Sequence, residues 1–243
     1  MSETANPEIT FVIPCLNEET NVVPTIESIL EAIKDTHITY EIIVYDDNSA
    51  DGTSSVVNGY IETHKELPVK LKRNSETKGI SFNYRDGAVN GRGKYICLIG
   101  GDNDVPTGWV TNVLKKLNTA DVILPYFEKD MRAPLRIGIS KLYTAMVNLL
   151  SGYSIQYYNS AVHLRENVIK FYRPTPGVGF FSELTVRVLN MGATYAEVSV
   201  PMNKKEHTIF SQLFKIRNLF SIPVCLSHIA RLRIAKHPMK QRD

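Results

Sequence analysis

The sequence predicts an α/β fold, in which one mostly parallel, Rossmann-like sheet is sandwiched by helices and followed by a helical, basic C-terminal segment. Three observations lead there. Short apolar, β-branched runs alternate with stretches of 3.6-residue apolar periodicity through the first 125 residues, as βαβ units require. An apolar fraction of 43 % and a charged fraction of 22 % lie near the averages for soluble globular chains, which excludes disordered, collagen-like and disulfide-framework proteins. The 243 residues suffice for one large domain whose core needs neither a metal nor a disulfide.

Ile9–Pro14 (ITFVIP) reads as the first strand. Thr20 is placed to cap a helix that continues to about Lys34, with Val22, Val23, Ile26, Ile29, Leu30 and Ile33 on its apolar positions. Glu41–Tyr45 is a second strand, followed by helix signals over 53–65, a strand at Val69–Lys72 and a helix over 80–91. A buried strand at Tyr95–Ile99, a helix over 108–118 and a strand at Val122–Pro125 complete the series. Beyond it the rhythm changes. A loop carrying Lys129, Arg132 and Arg136 leads into a helix over about 137–151, then a short strand near 160–164 and the loop Pro174–Gly179. A helix over 181–191 and a strand over 194–200 precede a stretch, 208–236, that is helical in pattern apart from Pro223. No repeat or low-complexity linker divides the chain, so one domain is expected.

Several classes fall away. The apolar stretch Leu219–Ala230 has 12 residues and contains Pro223, against about 20 for a bilayer span. The start, MSETANPE, is polar and acidic and lacks a signal-peptide pattern. Cys15, Cys97 and Cys225 are odd in number and sit in apolar contexts, as buried free thiols in a reducing cytoplasm do. Residues 204–243 hold nine Lys/Arg against Glu206 and Asp243, so a net +7 there sits on −4 over residues 1–203. That asymmetry predicts an anionic surface or ligand near the C-terminal end. Nucleic acid is not expected, because the cations are not interleaved with aromatics along a sheet.

In parallel α/β sheets ligands bind beyond the carboxyl ends of the strands, and four such ends are unusually polar here. They read Pro14-Cys15-Leu16-Asn17-Glu18-Glu19, Asp46-Asp47-Asn48-Ser49-Ala50-Asp51-Gly52-Thr53, Asn74 with Lys78-Gly79, and Gly100-Gly101-Asp102-Asn103-Asp104-Val105-Pro106. One Asp-rich turn is an ordinary loop and helix cap; four at one sheet edge make a candidate site. Carboxylates there are acceptors suited to ribose hydroxyls and base N–H groups.

Together these residues resemble the family-2 glycosyltransferases of GT-A fold, most closely the dolichol-phosphate and polyprenyl-phosphate sugar transferases. Pro14, Asn17 and Glu18 match a strand ending Pro-x-x-Asn-Glu. Glu41 to Thr53 match Glu-Ile-Ile-Val-x-Asp-Asp-x-Ser-x-Asp-Gly-Thr, with Tyr45 and Asn48 where Val and Gly are usual, and Gly79 and Gly87 match a Gly-x-x-x-x-x-x-x-Gly helix start. The likeness covers about residues 8–215, strongly through 106 and more loosely afterwards. It implies a nucleotide-sugar-binding half over 8–125, an acceptor half over 126–207 and a basic helical segment over 208–243.

The resemblance implies an inverting, metal-dependent glycosyltransferase. Its donor would be a nucleoside diphosphate-sugar and its acceptor a polyprenyl (dolichyl or undecaprenyl) phosphate at the cytoplasmic membrane face. A glycan hydroxyl acceptor, or a catalytically silent nucleotide-sugar-binding relative, are the alternatives. Pro14, Asn17, Glu18, Asp46 and Asp47 would hold the base and ribose, with Lys78 also among the nucleotide-sugar-binding residues and Lys205 and His207 near the pyrophosphate. The family's Asp-x-Asp-x-Gln-x-x-Pro, aligned on Pro106, places Gly100 at the first Asp, Asp102 at the second and Asp104 at the Gln. Asp102 and Asp104 are therefore the expected ligands of Mg²⁺ or Mn²⁺, an arrangement that carboxylates completed by substrate phosphates permit, and Asp102 counts as catalytic.

Arg136, Ser140 and Gly152 match the Arg-x-x-x-Ser and later Gly of that branch, near its acceptor phosphate. Arg132 joins them, since guanidinium groups bind phosphate oxygens bidentately. Phe181-Ser182-Glu183-Leu184 and Arg187 resemble a Phe-x-x-Glu-Leu segment, with Glu183 as an orienting catalytic acid. Phe180-Phe181 stand where hydroxyl-directed relatives carry a Glu-Asp dyad whose Asp is the base. A phosphate monoester, with a second pKa near 6, needs no such base. The terminal stretch Phe210 to Lys236 mixes aromatics with Lys and Arg and fits an interfacial helix on anionic lipid, so a peripheral place on the inner face of the cell membrane is expected.

Overall fold

The computed structural model describes residues 6–173, 179–202 and 216–236, the side chains of 216–221 and 234–236 excepted. Its strands are β1 (Ile9–Cys15), β2 (Tyr40–Asp46), β3 (Val69–Arg73), β4 (Tyr95–Leu98), β5 (Val122–Phe127), β6 (Val162–Leu164) and β7 (Tyr195–Val200). They form one sheet in the order β3-β2-β1-β4-β6-β5-β7. All run the same way except β6, which is antiparallel to both β4 and β5. The helices are α1 (Val22–Ile33), α2 (Thr53–Thr63), α3 (Ile80–Asn90), α4 (Thr107–Leu114), α5 (Pro134–Ser151), α6 (Arg165–Phe171), α7 (Phe180–Asn190) and α8 (Ile216–Lys236).

Side chains alternate faces along a strand, and here both faces are covered. Phe11, Ile13, Ile42, Val44 and Cys97 pack with α1, α2 and α4 on one side. Val12, Ile43, Tyr45 and Ile96 pack with α3, α5, α7 and α8 on the other. Burial on both faces explains why these strands read as unbroken apolar runs. Cys15, Cys97 and Cys225 are buried free thiols on three different elements.

Three details go beyond the sequence reading. The short strand near 160–164 takes an interior place: β6 lies inside the sheet between β4 and β5, and its Val162 and His163 are fully buried. His163 bonds Tyr84 at 3.0 Å and Thr185 at 3.1 Å, and burial pushes its pKa down to about 3. The seven-residue α6, unforeseen, buries only Val168, too little for a 3.6-residue pattern to show. Pro134 opens α5 three residues earlier than expected, because proline suits the first helical turn, where an N–H has no intrahelical partner.

The spaced glycines of α3 have separate causes. Gly79, at φ 90°, takes a left-handed backbone at the helix start, while Gly87 lets the helix touch the sheet. A Cβ on Gly87 would lie 2.3 Å from Val12 Cγ2. Gly87→Ala is accordingly expected to destabilise the fold by about 1–3 kcal/mol, the usual range for overpacking a core. Urea unfolding checks this; a midpoint equal to or above that of the parent protein contradicts the packing.

Candidate active site

Strands β1 and β2 pair from Ile9–Tyr40 to Cys15–Asp46, so they end level and release their loops side by side. Those two loops are stitched together. The Asn17 amide donates to Ser49 Oγ at 3.0 Å, and Asn17 Oδ1 accepts the Ala50 amide at 2.8 Å. The Glu18 amide donates to Thr53 Oγ1 at 2.9 Å, and Glu19 Oε2 accepts the Gly52 amide at 3.0 Å. Asn17, at φ 60°, makes the sharp turn that allows this, a conformation asparagine tolerates better than most residues.

The paired aspartates are spent on the same framework. Asp46 is fully buried; its carboxylate accepts the Ser49 amide at 2.7 Å and the Ser54 hydroxyl, with Arg73 Nη1 at 3.7 Å. Burial opposes its charge, yet the bonds from Ser54 and Ser49 and the Arg73 guanidinium hold its carboxyl below the usual range. Asp47 Oδ1 accepts Asn74 Nδ2 at 2.7 Å and the Lys78 amide at 2.9 Å, and Oδ2 accepts the Gly79 amide at 2.8 Å. This carboxylate therefore caps α3 and ties β2 to the β3–α3 loop. Both acids thereby shape the wall of the site where the base and ribose are expected. Ser49 and Asn74, which the sequence reading placed at the strand ends without a role, and Ser54 and Asn83, which it passed over, complete that wall; Asn74 Nδ2 also bonds Asn83 Oδ1 at 2.8 Å. The Lys78 ammonium lies over the Phe82 ring, 4.6 Å from its centroid.

Glu18 is half-buried, with Oε2 accepting Asn21 Nδ2 at 2.9 Å. Burial, and behind it the fields of Asp102, Asp51 and Asp104, outweigh that bond and raise its pKa. Asp102 and Asp104, both half-exposed on the β4–α4 loop, thus share one negative pole with Glu18. Asp102 Oδ1 comes within 3.0 Å of where a Cβ on Gly100 would stand, so its carboxylate covers the position where the family pattern has its first acid. Among the described residues no three His, Cys, Asp or Glu side chains converge as a ready-made metal cage. The donor set nevertheless fits a hard divalent cation that takes one or two carboxylates and completes its shell with phosphate oxygens and water.

Across the edge, the acceptor residues divide. Arg136 and Ser140 lie half-exposed on the first turns of α5. Arg132 is already engaged. Its Nε and Nη2 bond the Asp130 carboxylate at 2.8 and 2.6 Å, its guanidinium lies between the Phe127 and Tyr157 rings, and only 9 % of its side chain is exposed. A guanidinium whose fork is filled by a carboxylate holds a loop; it is not open to a phosphate. Glu183 is likewise engaged. It is 2 % exposed and pairs with Arg187 Nη2 at 2.7 Å and His228 Nδ1 at 3.0 Å, tying α7 to α8. Phe180 and Phe181 pack against Tyr84 with centroids 5.8 and 5.1 Å away. Lys205 and His207 lie outside the described residues, as does the 210–215 part of the stretch expected on the membrane; the rest of that stretch, from Ile216, forms α8.

Residues 10–173 match the family model described as Glycosyl transferase family 2. A dolichyl-phosphate beta-glucosyltransferase of Dictyostelium discoideum is 25 % identical over 130 residues, covering 51 % of this chain and 38 % of that protein. The chain thus spans under half the length of that relative. Among solved structures, glucosyl-3-phosphoglycerate synthase from Mycobacterium tuberculosis with UDP superposes with a TM-score of 0.67 at 17 % identity, over 93 % of this chain and 81 % of that one. A mannosyltransferase from Pyrobaculum calidifontis in complex with GDP-Man and Mn²⁺ gives a TM-score of 0.60 at 19 % identity, over 96 % of this chain and 72 % of that one. The mostly parallel seven-strand sheet flanked by helices is the GT-A fold.

Proposed function

Because the chain belongs to glycosyl transferase family 2, we propose that it moves one sugar, with inversion, from a nucleoside diphosphate donor to a polyprenyl phosphate at the cytoplasmic face of a membrane. The observation that carries the acceptor half of this reading is the state of residues 180–183. The two positions that hold a Glu-Asp dyad in hydroxyl-directed relatives are phenylalanines packed on Tyr84, and Glu183 is held by Arg187 and His228. A sugar hydroxyl must lose its proton as it attacks. A phosphate monoester arrives as an anion. Its oxygen forms the new bond to the anomeric carbon while the bond to the departing diphosphate breaks, and no proton has to be taken up by the protein. The name of the Dictyostelium relative supports the same acceptor class.

On the donor side, the stitched loops of Asn17, Glu18 and Asp47 form the rim for base and ribose, and Lys78 supplies positive charge beside it. Asp102 and Asp104 would hold Mg²⁺ or Mn²⁺, which when bound neutralises charge on the diphosphate; the UDP, GDP-Man and Mn²⁺ complexes of the structural neighbours are consistent with this. Arg136 orients the acceptor phosphate.

The test is a panel of radiolabelled UDP- and GDP-sugars given to the full chain with Mn²⁺ or Mg²⁺ and a short-chain polyprenyl phosphate. A labelled glycolipid is expected. Transfer to a free glycan with none to the polyprenyl phosphate would overturn the acceptor assignment, and donor binding without turnover would identify a silent relative. Glu183→Gln provides a separate check. As a structural tie, Glu183 can be replaced with loss of thermal stability but turnover near the parent value. Loss of a general base would instead lower kcat by about 10²–10⁴-fold.

A further inference from the structure

Of the twelve exposed large apolar side chains among the described residues, four lie on one helix, α5, three of them more than 60 % exposed, and nothing among the described residues covers them. Leu135, Ile139, Leu142 and Leu149 are 68, 38, 62 and 74 % exposed. At 100° per residue they fall within about 80° of the circumference, with Gly138, Ala145 and Met146 completing the same outward arc. The inward face of α5 buries Tyr143, Val147 and Ser151. The helix is therefore apolar on two sides, one fitted to the core and one facing outward. Single exposed leucines are ordinary; a continuous apolar stripe marks an interaction surface.

Charge identifies the occupant. The α5 sequence PLRIGISKLYTAMVNLLS has two cations, Arg136 and Lys141, and no acid. Its neighbour α8, IRNLFSIPVCLSHIARLRIAK, has Arg217, Arg231, Arg233 and Lys236 and again no acid. The two helices are locked together where Arg233 Nη1 donates to the Leu149 carbonyl at the end of α5. An apolar stripe on a helix whose charged residues are all cations is the pattern of a helix lying in the headgroup region of anionic lipid. A second copy would set cation against cation. The start of α5 follows the carboxyl end of β5, the sheet edge that carries Asp102 and Asp104, so a bilayer beneath α5 meets the rim of the site.

We propose that α5 is the membrane-inserting element of this protein, its Leu135–Ile139–Leu142–Leu149 face seated in an anionic bilayer. The proposal rests on the lipid-acceptor reading for its purpose, but its measurement involves neither donor nor acceptor. It also moves the principal membrane contact from the 210–236 stretch, where the sequence places it, to a helix in the middle of the chain.

The test is sedimentation of the full chain with vesicles of phosphatidylcholine and phosphatidylglycerol. The parent protein should co-sediment, and Leu142→Glu with Leu149→Glu should lower the partition coefficient at least about tenfold, as placing charge on an inserted apolar face requires. Both sites are solvent-exposed, and unchanged thermal melting confirms the fold. As a second variant, Leu142→Trp should keep binding and show a blue-shifted fluorescence quenched by brominated lipid; the native Trp109 is buried in the core and supplies a constant background. Vesicle binding equal in the parent and the double Glu variant, or Trp emission insensitive to brominated lipid, overturns the proposal. So does a concentration-dependent dimer abolished by the same Glu changes, which would assign the face to a second copy. A parent protein that fails to co-sediment with the vesicles yet transfers sugar to a detergent-solubilised polyprenyl phosphate would overturn the docking face alone and leave the reaction standing.

Discussion

Replacing Asp102 by asparagine should lower metal-dependent turnover on the order of 10²–10³-fold, the usual loss when one charge-stabilising group is removed from a transition state. The side chain is half-exposed on the β4–α4 loop beside Gly100, so the substitution keeps shape and one oxygen while removing the charge that a hard cation requires. Two measurements separate this from a general defect. Calorimetric affinity for the nucleoside diphosphate should rise with Mn²⁺ in the parent protein and respond little in Asp102→Asn. Thermal melting should be unchanged or slightly raised, because Asp102 contributes to the repulsion that lifts the Glu18 pKa. Full activity in EDTA would remove the cation from the mechanism.

Asp102 is a more informative position than the aspartate pair of β2. Asp47 takes three hydrogen bonds from Asn74, Lys78 and Gly79, and Asp46 is fully buried. Alanine at either would leave buried donors unsatisfied, each costing about 1–3 kcal/mol. Reduced nucleotide affinity there would report a collapsed loop as readily as a lost contact.

That contrast shows what the residue pattern carried and what it did not. The parallel half of the sheet was legible because both its faces are buried, which writes strands as apolar runs such as ITFVIP and EIIVY between amphipathic helices. The position of the site followed, since parallel strands deliver their polar ends to one edge. Orientation within the site did not follow. Nothing local in Asp46-Asp47 says that its acceptors face inward to Ser49, Ser54 and Asn74, partners three to 27 residues away. The pairings of Arg132 and Glu183 were hidden for a related reason. Residue type indicates what a group can bind, whereas Asp130 beside the one and His228 from α8 beside the other decide what it does bind. The three-residue β6 and seven-residue α6 were too short for periodicity to declare their places.

The second large effect belongs to Arg136, on which the acceptor assignment now falls more heavily because Arg132 is engaged by Asp130. Arg136→Ala should lower kcat/KM for polyprenyl phosphate by about 10–100-fold, corresponding to loss of a charged hydrogen bond of about 1.5–3 kcal/mol. Nucleotide affinity should stay at the parent value, since the donor rim is built from the β1, β2 and β3 loops and α5 takes no part in their hydrogen bonds. Arg136→Lys should recover only part of the loss, because an ammonium offers a point charge where a guanidinium offers a planar fork. Arg132→Ala should behave differently. It frees Asp130 and the Phe127–Tyr157 ring pair, so thermal stability should fall along with activity, and adding Asp130→Asn should restore part of that stability by removing the stranded carboxylate. Equal catalytic losses in Arg136→Ala and Arg132→Ala with stability untouched in both would mean that the acceptor phosphate displaces Asp130 and uses both arginines. Unchanged kcat/KM in Arg136→Ala would place the acceptor phosphate elsewhere on the edge.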